Sequence, residues 1–280
     1  MQVILNADDF GRSASINAAV LQAHRHGVLT STSLMVAGEA AEGAVALARQ
    51  TPTLAVGLHL VVTTGRAALP PREIPHLVNC AGYFPDNLLQ VGLRYYFSHT
   101  TQQELAHELA TQFERFAVTG LPLSHVDGHL HMHLHPRVFD IVLSLARQYG
   151  ACGLRIPRDE VRLSLAYDRR HCGLKLAWAL VFRVLNRRSL RRLQGCGLVT
   201  VRRVYGLMQS GRMEEAYVLK LLRRLNVPTA ELYFHPTHTV RTEALGPNPG
   251  DLATLLSPAV RQVIQQRGIR LATYPTLTEN

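Results

Sequence analysis

Four short segments of this sequence place aspartates or histidines directly after runs of apolar residues. Carboxylates and imidazoles bind divalent metal ions and exchange protons near neutral pH, so these residue types at strand ends are typical of metal-assisted hydrolysis. Adjacent acidic residues and closely spaced histidines are the two patterns that need an explanation. The four segments are NADDFG (6–11), GLHL (57–60), HVDGHLHMHLHP (125–136) and ELYFHPTH (231–238).

The first pattern is the pair Asp8 and Asp9, which follows an apolar run. Adjacent residues at a strand end point in different directions, so one carboxylate can bind a metal while its neighbour faces a water molecule. Two like charges this close repel, and without a cation one of them should take up a proton. The alternative is a helix cap or an Asx turn before Gly11, which aspartates often form. The pair alone leaves both interpretations open.

The second pattern is a histidine cluster between positions 125 and 135. Imidazoles this close cannot all be protonated cheaply, which favours a neutral, metal-binding role for at least one of them. In an extended segment, alternating residues would line one face. A histidine-rich surface loop is the alternative, with the remaining histidines orienting the ligands. The alternating residues are His125, Asp127, His129, His131, His133 and His135.

Two further histidines follow predicted strands. His59 has apolar neighbours and by itself would be a core residue, so it becomes a candidate ligand only together with the other segments. His235 would project to the same edge of a sheet, where it can act as a proton donor. One carboxylate and two imidazoles leave coordination positions open for water and substrate. A free carboxylate beside that water would be the general base for hydrolysing an amide or an ester.

Strand-like and helix-like segments alternate along the whole chain, which predicts a parallel sheet and favours a (β/α) barrel over an open sheet. In a parallel barrel the carboxyl ends of the strands meet at one mouth. The predicted strands are Val3–Ala7, Ser31–Val36, Ala55–Leu60, Ser124–Asp127, Leu154–Ile156, Val199–Val204, Ala230–Phe234 and Arg270–Tyr274. The predicted helices are Ala14–His26, Glu39–Gln50, Thr101–Thr119, Pro136–Tyr149, Met213–Leu225 and Ser257–Gln266. We expect one domain over residues 1–280.

Residues 62–99 interrupt this alternation with prolines and aromatic residues. Long irregular stretches inside a domain usually form a lid or a binding loop, and we expect that role here. The aromatic side chains either stack on the substrate or pack the lid itself. They are Tyr83, Phe84, Tyr95 and Tyr96.

The composition excludes several classes of protein. Of the 280 residues, 47% are hydrophobic and 18% are charged, which excludes global disorder. Four cysteines without a CxxC pair argue against a disulfide scaffold and against a cysteine zinc finger. The start of the chain has no basic segment before a long apolar stretch, so we expect no signal peptide. The expectation is a cytoplasmic protein with reduced thiols.

The positive charge is concentrated in one part of the chain. The net charge is +10, and residues 155–203 contain 13 Lys or Arg against three acidic residues, which accounts for the whole excess. Residues 173–195 read as a helix with one apolar and one arginine-rich face. This pattern predicts either an interfacial helix beside anionic lipid or a docked helix with a solvated face. Nucleic-acid binding is disfavoured because no basic motif interleaved with aromatic residues is present.

The ordered motifs resemble the YdjC-type carbohydrate deacetylases, a family that includes the chitooligosaccharide deacetylases. The resemblance rests on NADDFG (6–11), GLH (57–59) and DGHLHMH (127–133). It extends through GVLTSTSLMV (27–36) and reaches FHP (234–236), so it covers most of the chain. It implies a TIM-like (β/α) barrel related to the polysaccharide deacetylases. It also implies removal of an acetyl group from an N-acetylated amino sugar.

The resemblance also implies roles for individual residues. Asp9, His59 and His129 would hold one divalent metal ion, Mg²⁺ by resemblance, although Zn²⁺ or another transition metal suits nitrogen ligands better. Asp8 would be the catalytic base. The expected general acid is His235, with His131 as the alternative. We further expect Asp127, His131 and Tyr83 to contact the substrate.

Residues 173–195 stand where the family usually has a short polar stretch. In this respect, and in MQSGRM (208–213) and ATLLSP (253–258), the chain resembles the hopanoid biosynthesis-associated deacetylases. The substrate implied by this branch is an N-acetylglucosaminyl lipid on a polycyclic triterpenoid. A basic amphipathic helix suits an enzyme that must reach a membrane-embedded substrate. We therefore expect a cytoplasmic protein that contacts the inner face of the membrane.

Three alternatives stay open. The first is deacetylation of soluble chitooligosaccharides. The second is another metal-dependent barrel enzyme, such as a phosphoesterase or a sugar isomerase. The third is a non-enzymatic lipid- or nucleic-acid-binding protein, which would leave the aspartate and histidine motifs without a purpose. A homodimer is compatible with the sequence, and no nucleic-acid partner is expected.

Overall fold

Strands and helices alternate along the chain in a computed structural model, which describes residues 1–159, 161–239 and 246–277. The strands are β1 (Gln2–Phe10), β2 (Ser31–Leu34), β3 (Ala55–Leu60), β4 (His125–Gly128), β5 (Gly153–Leu154), β6 (Arg203–Tyr205), β7 (Thr229–Phe234) and β8 (Arg270–Leu271). The helices are α1 (Ala14–His26), α2 (Ala41–Arg49), α3 (Leu88–Phe97), α4 (His99–Val118), α5 (Pro136–Gln148), α6 (Val161–Tyr167), α7 (Cys172–Leu193), α8 (Glu215–Arg224), α9 (Pro249–Leu256) and α10 (Pro258–Gln266). Three short 3₁₀ helices are His129–Leu134, Leu207–Gln209 and Tyr274–Thr276.

All paired strands of the eight-stranded sheet run parallel. The order is β5-β4-β3-β2-β1-β7-β6, and β8 pairs with the start of β1. The sheet curls until its two ends meet. At one end Val199, just before β6, forms a parallel bridge with Gly153 of β5 at the other end. The prediction of a TIM-like α/β fold with a parallel sheet is confirmed.

The strand register brings the chemical motifs to one edge of the sheet. His59 pairs with Asp127 across β3 and β4, and Ala7 pairs with Phe234 across β1 and β7. The next residues along β1 and after β7 are therefore Asp8 and His235. The carboxyl ends of the strands thus carry all four motifs, as the sequence predicted.

Local signals explain why most element boundaries agree with the sequence. The Ser13 side chain accepts a hydrogen bond from the Ile16 amide and caps α1, which ends at Gly27. Helix α5 begins at Pro136, whose missing amide hydrogen costs nothing in the first turn. Strand β1 is longer than predicted and includes both aspartates.

Sequence reading missed three helices. Helix α3 lies inside the segment 62–99, where prolines and glycines suggested only a loop. It begins after Asn87, whose side chain accepts a hydrogen bond from the Gln90 amide. Helices α6 and α9 are short, and α9 begins at a proline and a glycine, which conceal helical periodicity.

The prediction that the histidine-rich segment is extended is wrong. Residues His129–Leu134 form a 3₁₀ helix directly after β4. Leu130 and His131 have φ values of 50° and 56°, which turn the chain instead of continuing the strand. Alternate histidines therefore do not line one face, and their side chains point to different surroundings.

Helix α7 is docked at its C-terminal half only. Phe182, Asn186, Ser189 and Leu193 are buried at helical spacing, whereas apolar side chains of the first half are exposed. The apolar face predicted for this helix is therefore divided, since Phe182 is buried and Trp178 is 39% exposed. Within the described residues, we find no helix with the length and apolarity needed to cross a bilayer.

One tight contact inside the sheet yields a stability prediction. A Cβ at Gly57 would lie 2.4 Å from Cε1 of His125, whose buried ring stacks on Tyr274 with centroids 4.8 Å apart. Gly57→Ala should lower the free energy of unfolding by about 1–3 kcal/mol, because the ring has no free space to move into. Urea denaturation measures this. Gly43→Ala in α2 is the matched control, since its Cβ meets only Asn17 Nδ2 at 3.9 Å, and equal losses would contradict the packing argument.

Candidate metal and catalytic site

Three buried side chains converge at the mouth of the sheet. Asp9 Oδ1 lies 3.2 Å from His129 Nδ1 and 3.5 Å from His59 Nε2. One potential ligand atom from each residue lies within 4.8 Å of the other two. Asp9 has a φ of 65° and lies where the register between β1 and β2 shifts. Its side chain contacts Arg12 and His129, whereas that of Asp8 contacts Arg155. The structure therefore brings together the three residues that the sequence proposed as ligands.

The orientation of His59 is fixed from behind. Its Nδ1 lies 2.7 Å from Asp127 Oδ1, so its Nε2 faces Asp9. This Nε2 is buried and has no hydrogen-bond partner among the described residues. A carboxylate on one imidazole nitrogen is the usual arrangement when the other nitrogen binds a metal. The donor set thus fits a divalent cation.

The surrounding charges shift the pKa values of two of these groups. Burial opposes ionisation of Asp9, but the charges of His129 and Arg12 hold its pKa well below the usual range. Burial likewise opposes protonation of His59, but Asp127 and the aspartate pair raise its pKa above the usual value. Asp9 is therefore ionised, as a metal-binding carboxylate must be.

Sequence reading missed the residue at the centre of the site, Arg155. Its guanidinium is fully buried and contacts three carboxylates. It makes two hydrogen bonds to Asp8, at 2.7 and 2.8 Å, and lies 2.8 Å from Asp127 Oδ2 and 2.7 Å from Glu231 Oε1. The ring of Tyr233 covers it at 4.8 Å. A charged residue inside a predicted buried strand is the available signal, although the charge pattern assigns Arg155 to the basic segment.

A second group of possible ligands, Asp8, His59 and Asp127, also lies within 4.8 Å. Arg155 already binds Asp8 and Asp127, and Asn6 Nδ2 donates to Asp8 Oδ1 at 2.8 Å. Both of these carboxylates are therefore compensated by an internal cation. Asp9 is bound by Arg12 through Oδ2 alone, at 2.9 Å, and its Oδ1 has no hydrogen-bond partner among the described residues, so the group around Asp9 is the better metal site.

The other expected residues fall into distinct positions. His235 lines the cavity at the mouth, and its buried Nδ1 has no hydrogen-bond partner among the described residues. His131 Nε2 lies 2.9 Å from the Tyr233 hydroxyl, and burial holds the pKa of His131 well below its usual value. His133 points inward to the Arg155 carbonyl at 2.9 Å, and burial lowers its pKa to about 4.

Asp127 contacts other buried side chains of the site. Both of its oxygens are used, because Oδ1 faces His59 and Oδ2 accepts from the Ser33 hydroxyl at 2.7 Å and from Arg155. It is fully buried, so it positions other residues in this structure. Tyr83 is 40% exposed and does not line the cavity described next. Roles of Asp127 and Tyr83 in substrate binding stay predictions.

A cavity of about 400 Å³ opens above these residues. Asp8, His59 and His129 form its floor. One wall is apolar and comes mainly from α7 and the segment before α8, with Leu174, Trp178, Phe182, Leu207 and Met208. The rim carries charged residues around one carboxylate, namely Asp168, Arg170, Lys175 and Arg212. The cavity therefore combines a polar floor with an apolar wall.

The chain belongs to the YdjC-like protein family, whose model matches residues 2–266. A carbohydrate deacetylase of Geobacillus stearothermophilus is 34% identical over 97% of this chain and 96% of its own length. A chitooligosaccharide deacetylase of Salmonella paratyphi B is 41% identical over 57% of this chain and 60% of its own. A carbohydrate deacetylase of Brevibacillus brevis is 42% identical, and the match spans 57% of that protein.

A solved structure has the same fold. The crystal structure of a candidate cellobiose-phosphate cleavage protein from Enterococcus faecalis superposes with a TM-score of 0.77 at 25% sequence identity, covering 99% of both chains. The family membership expected from the motifs is thus confirmed, and the curled parallel sheet is shared with a solved relative.

Removal of the buried cation should destabilise the whole site. Arg155→Met leaves three buried carboxylates without their cation, and breaking such a network costs about 3–5 kcal/mol. Thermal and urea unfolding should show this loss. Arg72→Met, at an exposed arginine, is the control and should leave stability unchanged. Equal stability of the two variants would show that Arg155 does not hold the site together.

Proposed function

We propose that this protein is a metal-dependent hydrolase that removes the N-acetyl group from an N-acetylated amino sugar. The observation that carries this proposal is the group Asp9, His59 and His129, of which the two histidines line one cavity together with a separate carboxylate, Asp8. The names of the curated relatives, carbohydrate deacetylase and chitooligosaccharide deacetylase, support it. A phosphoesterase or a sugar isomerase has no comparable support.

The residues divide the reaction among them. Asp9, His59 and His129 would hold a divalent cation, which when bound would polarise the acetamide carbonyl as a Lewis acid and lower the pKa of water. Asp8 accepts the proton of the water whose oxygen attacks the carbonyl carbon, and Arg155 holds Asp8 in place.

The second half of the reaction needs an acid. His235 donates a proton to the amine nitrogen as the carbon–nitrogen bond breaks, which releases acetate and a free amino sugar. His131 is the alternative acid, but its ring already contacts the Tyr233 hydroxyl and burial disfavours its protonated form. His235 lines the cavity, and its buried Nδ1 has no hydrogen-bond partner among the described residues, which supports the first assignment.

The ligand set bears on the metal. Two imidazoles and one carboxylate suit Zn²⁺ or another first-row transition metal better than Mg²⁺, which prefers oxygen ligands. Mg²⁺ is the ion implied by the family resemblance. Activity of metal-free protein titrated with each ion separates these two possibilities.

The apolar wall supports a lipid-linked substrate. Trp178, Phe182 and Met208 stand directly above a floor that would hold the acetamido group. A soluble sugar offers only the C–H faces of its rings and its acetyl methyl groups to such a wall, whereas the hydrocarbon part of an N-acetylglucosaminyl lipid of the hopanoid type would cover much more of it. The exposed apolar side chains in the first half of α7 and the arginines in its second half support peripheral contact with the inner face of a membrane. The second candidate substrate is a soluble chitooligosaccharide, favoured by the name of the Salmonella relative.

Two substitutions distinguish the contribution of metal binding to activity from that of the catalytic base. His129→Ala should reduce both metal affinity, measured by calorimetry, and acetate release to near background. Asp8→Asn should keep metal affinity and lose about 10²–10⁴ in kcat, because only the base is removed. Circular dichroism monitors folding in both. Full activity of metal-loaded Asp8→Asn would rule out Asp8 as the base.

The choice of substrate is tested directly. Purified protein loaded with one metal ion is given an N-acetylglucosaminyl lipid in detergent or soluble chitobiose, and acetate is measured. We expect a higher kcat/KM for the lipid because its apolar part covers the wall of α7. Preference for chitobiose would overturn the lipid assignment and leave the deacetylase assignment intact. Release of no acetate from either would overturn both.

A further inference from the structure

Helix α3 exposes a stripe of apolar side chains to solvent. Leu89, Leu93 and Phe97 recur every four residues and are exposed, Phe97 at 76%. The opposite face, with Val91 and Tyr95, is buried. A surface helix normally presents polar residues on its outer face. Both faces of α3 are apolar, and packing among the residues that the structure describes leaves the outer face uncovered.

The position of α3 connects it to the catalytic cavity. Its first residue, Leu88, lines the cavity together with Leu174 and Trp178 of α7. The Tyr95 hydroxyl donates to the Val62 carbonyl at 2.6 Å, which anchors the helix to the end of β3. The ends of α3 and α7 therefore stand on the rim of the same opening.

Helix α5 joins the outer surfaces of these two helices. The Arg137 guanidinium covers the ring of Tyr96 of α3 at 5.2 Å. One helical turn further, Asp140 binds Arg188 and Arg192 of α7, at 2.6 and 3.2 Å. The apolar stripe of α3 and the arginines of α7 are thus neighbours on one continuous surface.

The charge of this surface identifies its partner. Neither α3 nor α7 contains an aspartate or a glutamate, whereas α7 contributes six Lys or Arg and α3 contributes Arg94. Asp140 and Asp168 pair with three of these cations, which leaves an excess of positive charge on the surface. Exposed apolar side chains with an excess of cations complement anionic phospholipid. A second copy of this chain would bring two positive surfaces together, which opposes self-association through this face.

We propose that α3 is a second membrane-contact element, which together with α7 seats the mouth of the cavity on an anionic phospholipid bilayer. This inference rests on the lipid-linked substrate proposed above. Two helices on the rim hold the opening against the bilayer surface, so that a sugar headgroup reaches the floor while its lipid stays among the acyl chains. A single helix would leave the opening free to tilt.

The experiment uses the single tryptophan of the chain, Trp178, as the probe. Its emission is followed while vesicles of phosphatidylcholine, alone or mixed equally with phosphatidylglycerol, are added to the full-length protein. The test variant is Leu89→Ser/Phe97→Ser. The matched control is Val118→Ser, which removes an equally exposed apolar residue, 79% exposed, at the other end of α4. That end lies about 28 Å along the helix from its start beside α3.

We expect the wild-type emission to shift to shorter wavelength with anionic vesicles only. The Leu89→Ser/Phe97→Ser variant should need about tenfold or more additional lipid for half of the shift, because two apolar side chains no longer enter the bilayer. Val118→Ser should match the wild type. Thermal unfolding of all three proteins confirms that the fold is retained.

Three outcomes would overturn the inference. If the α3 variant matches the wild type, α7 alone contacts the membrane, and the proposed function stands. If the α3 variant becomes smaller in sedimentation velocity, the stripe covers a second copy of the chain. If the wild type shows no shift, membrane contact through either helix is wrong. Acetate release from the lipid in detergent then decides separately whether the substrate assignment survives.

Discussion

The site depends on one buried cation that holds three carboxylates together. Arg155 binds Asp8, Asp127 and Glu231, which come from three different strands. A guanidinium without such partners would be too costly to bury, and three carboxylates without the guanidinium would repel one another. Because Asp127 is fixed by this contact, it can orient His59 toward Asp9. The geometry of the proposed metal site is therefore set by residues that would not touch the metal.

The structure separates the chemistry from the recognition of substrate. The floor of the cavity is built at the carboxyl ends of parallel strands, where rigid backbone holds the polar groups. The walls come from helices outside the sheet, chiefly α7 and the start of α3. Changes in these helices can alter which sugar derivative fits without disturbing Asp8 or its neighbours. The apolar walls are the basis for proposing a lipid-linked substrate on a family fold whose curated relatives are named for carbohydrates.

Sequence periodicity failed where local backbone geometry decided the conformation. The alternating histidines suggested an extended segment, but residues His129–Leu134 form 3₁₀ turns with a kink at Leu130 and His131, where φ is positive. His129 lies before this kink and faces Asp9, while His133 lies after it and points to the Arg155 carbonyl. Helix α3 was missed for a different reason. Its apolar residues occur on both faces, so its sequence lacks the amphipathic pattern on which helix prediction depends.

The sequence by itself determined the parallel α/β fold, the family and the edge of the sheet where the motifs meet. These follow from local alternation and from short ordered motifs, which are properties of neighbouring residues. Only the tertiary structure decided that Arg155 pairs with the aspartates and that α3 and α7 share a rim. Such contacts join residues far apart in the chain, 147 positions in the case of Asp8 and Arg155. Their energies depend on burial and on complementary charge, which no local pattern in the chain encodes.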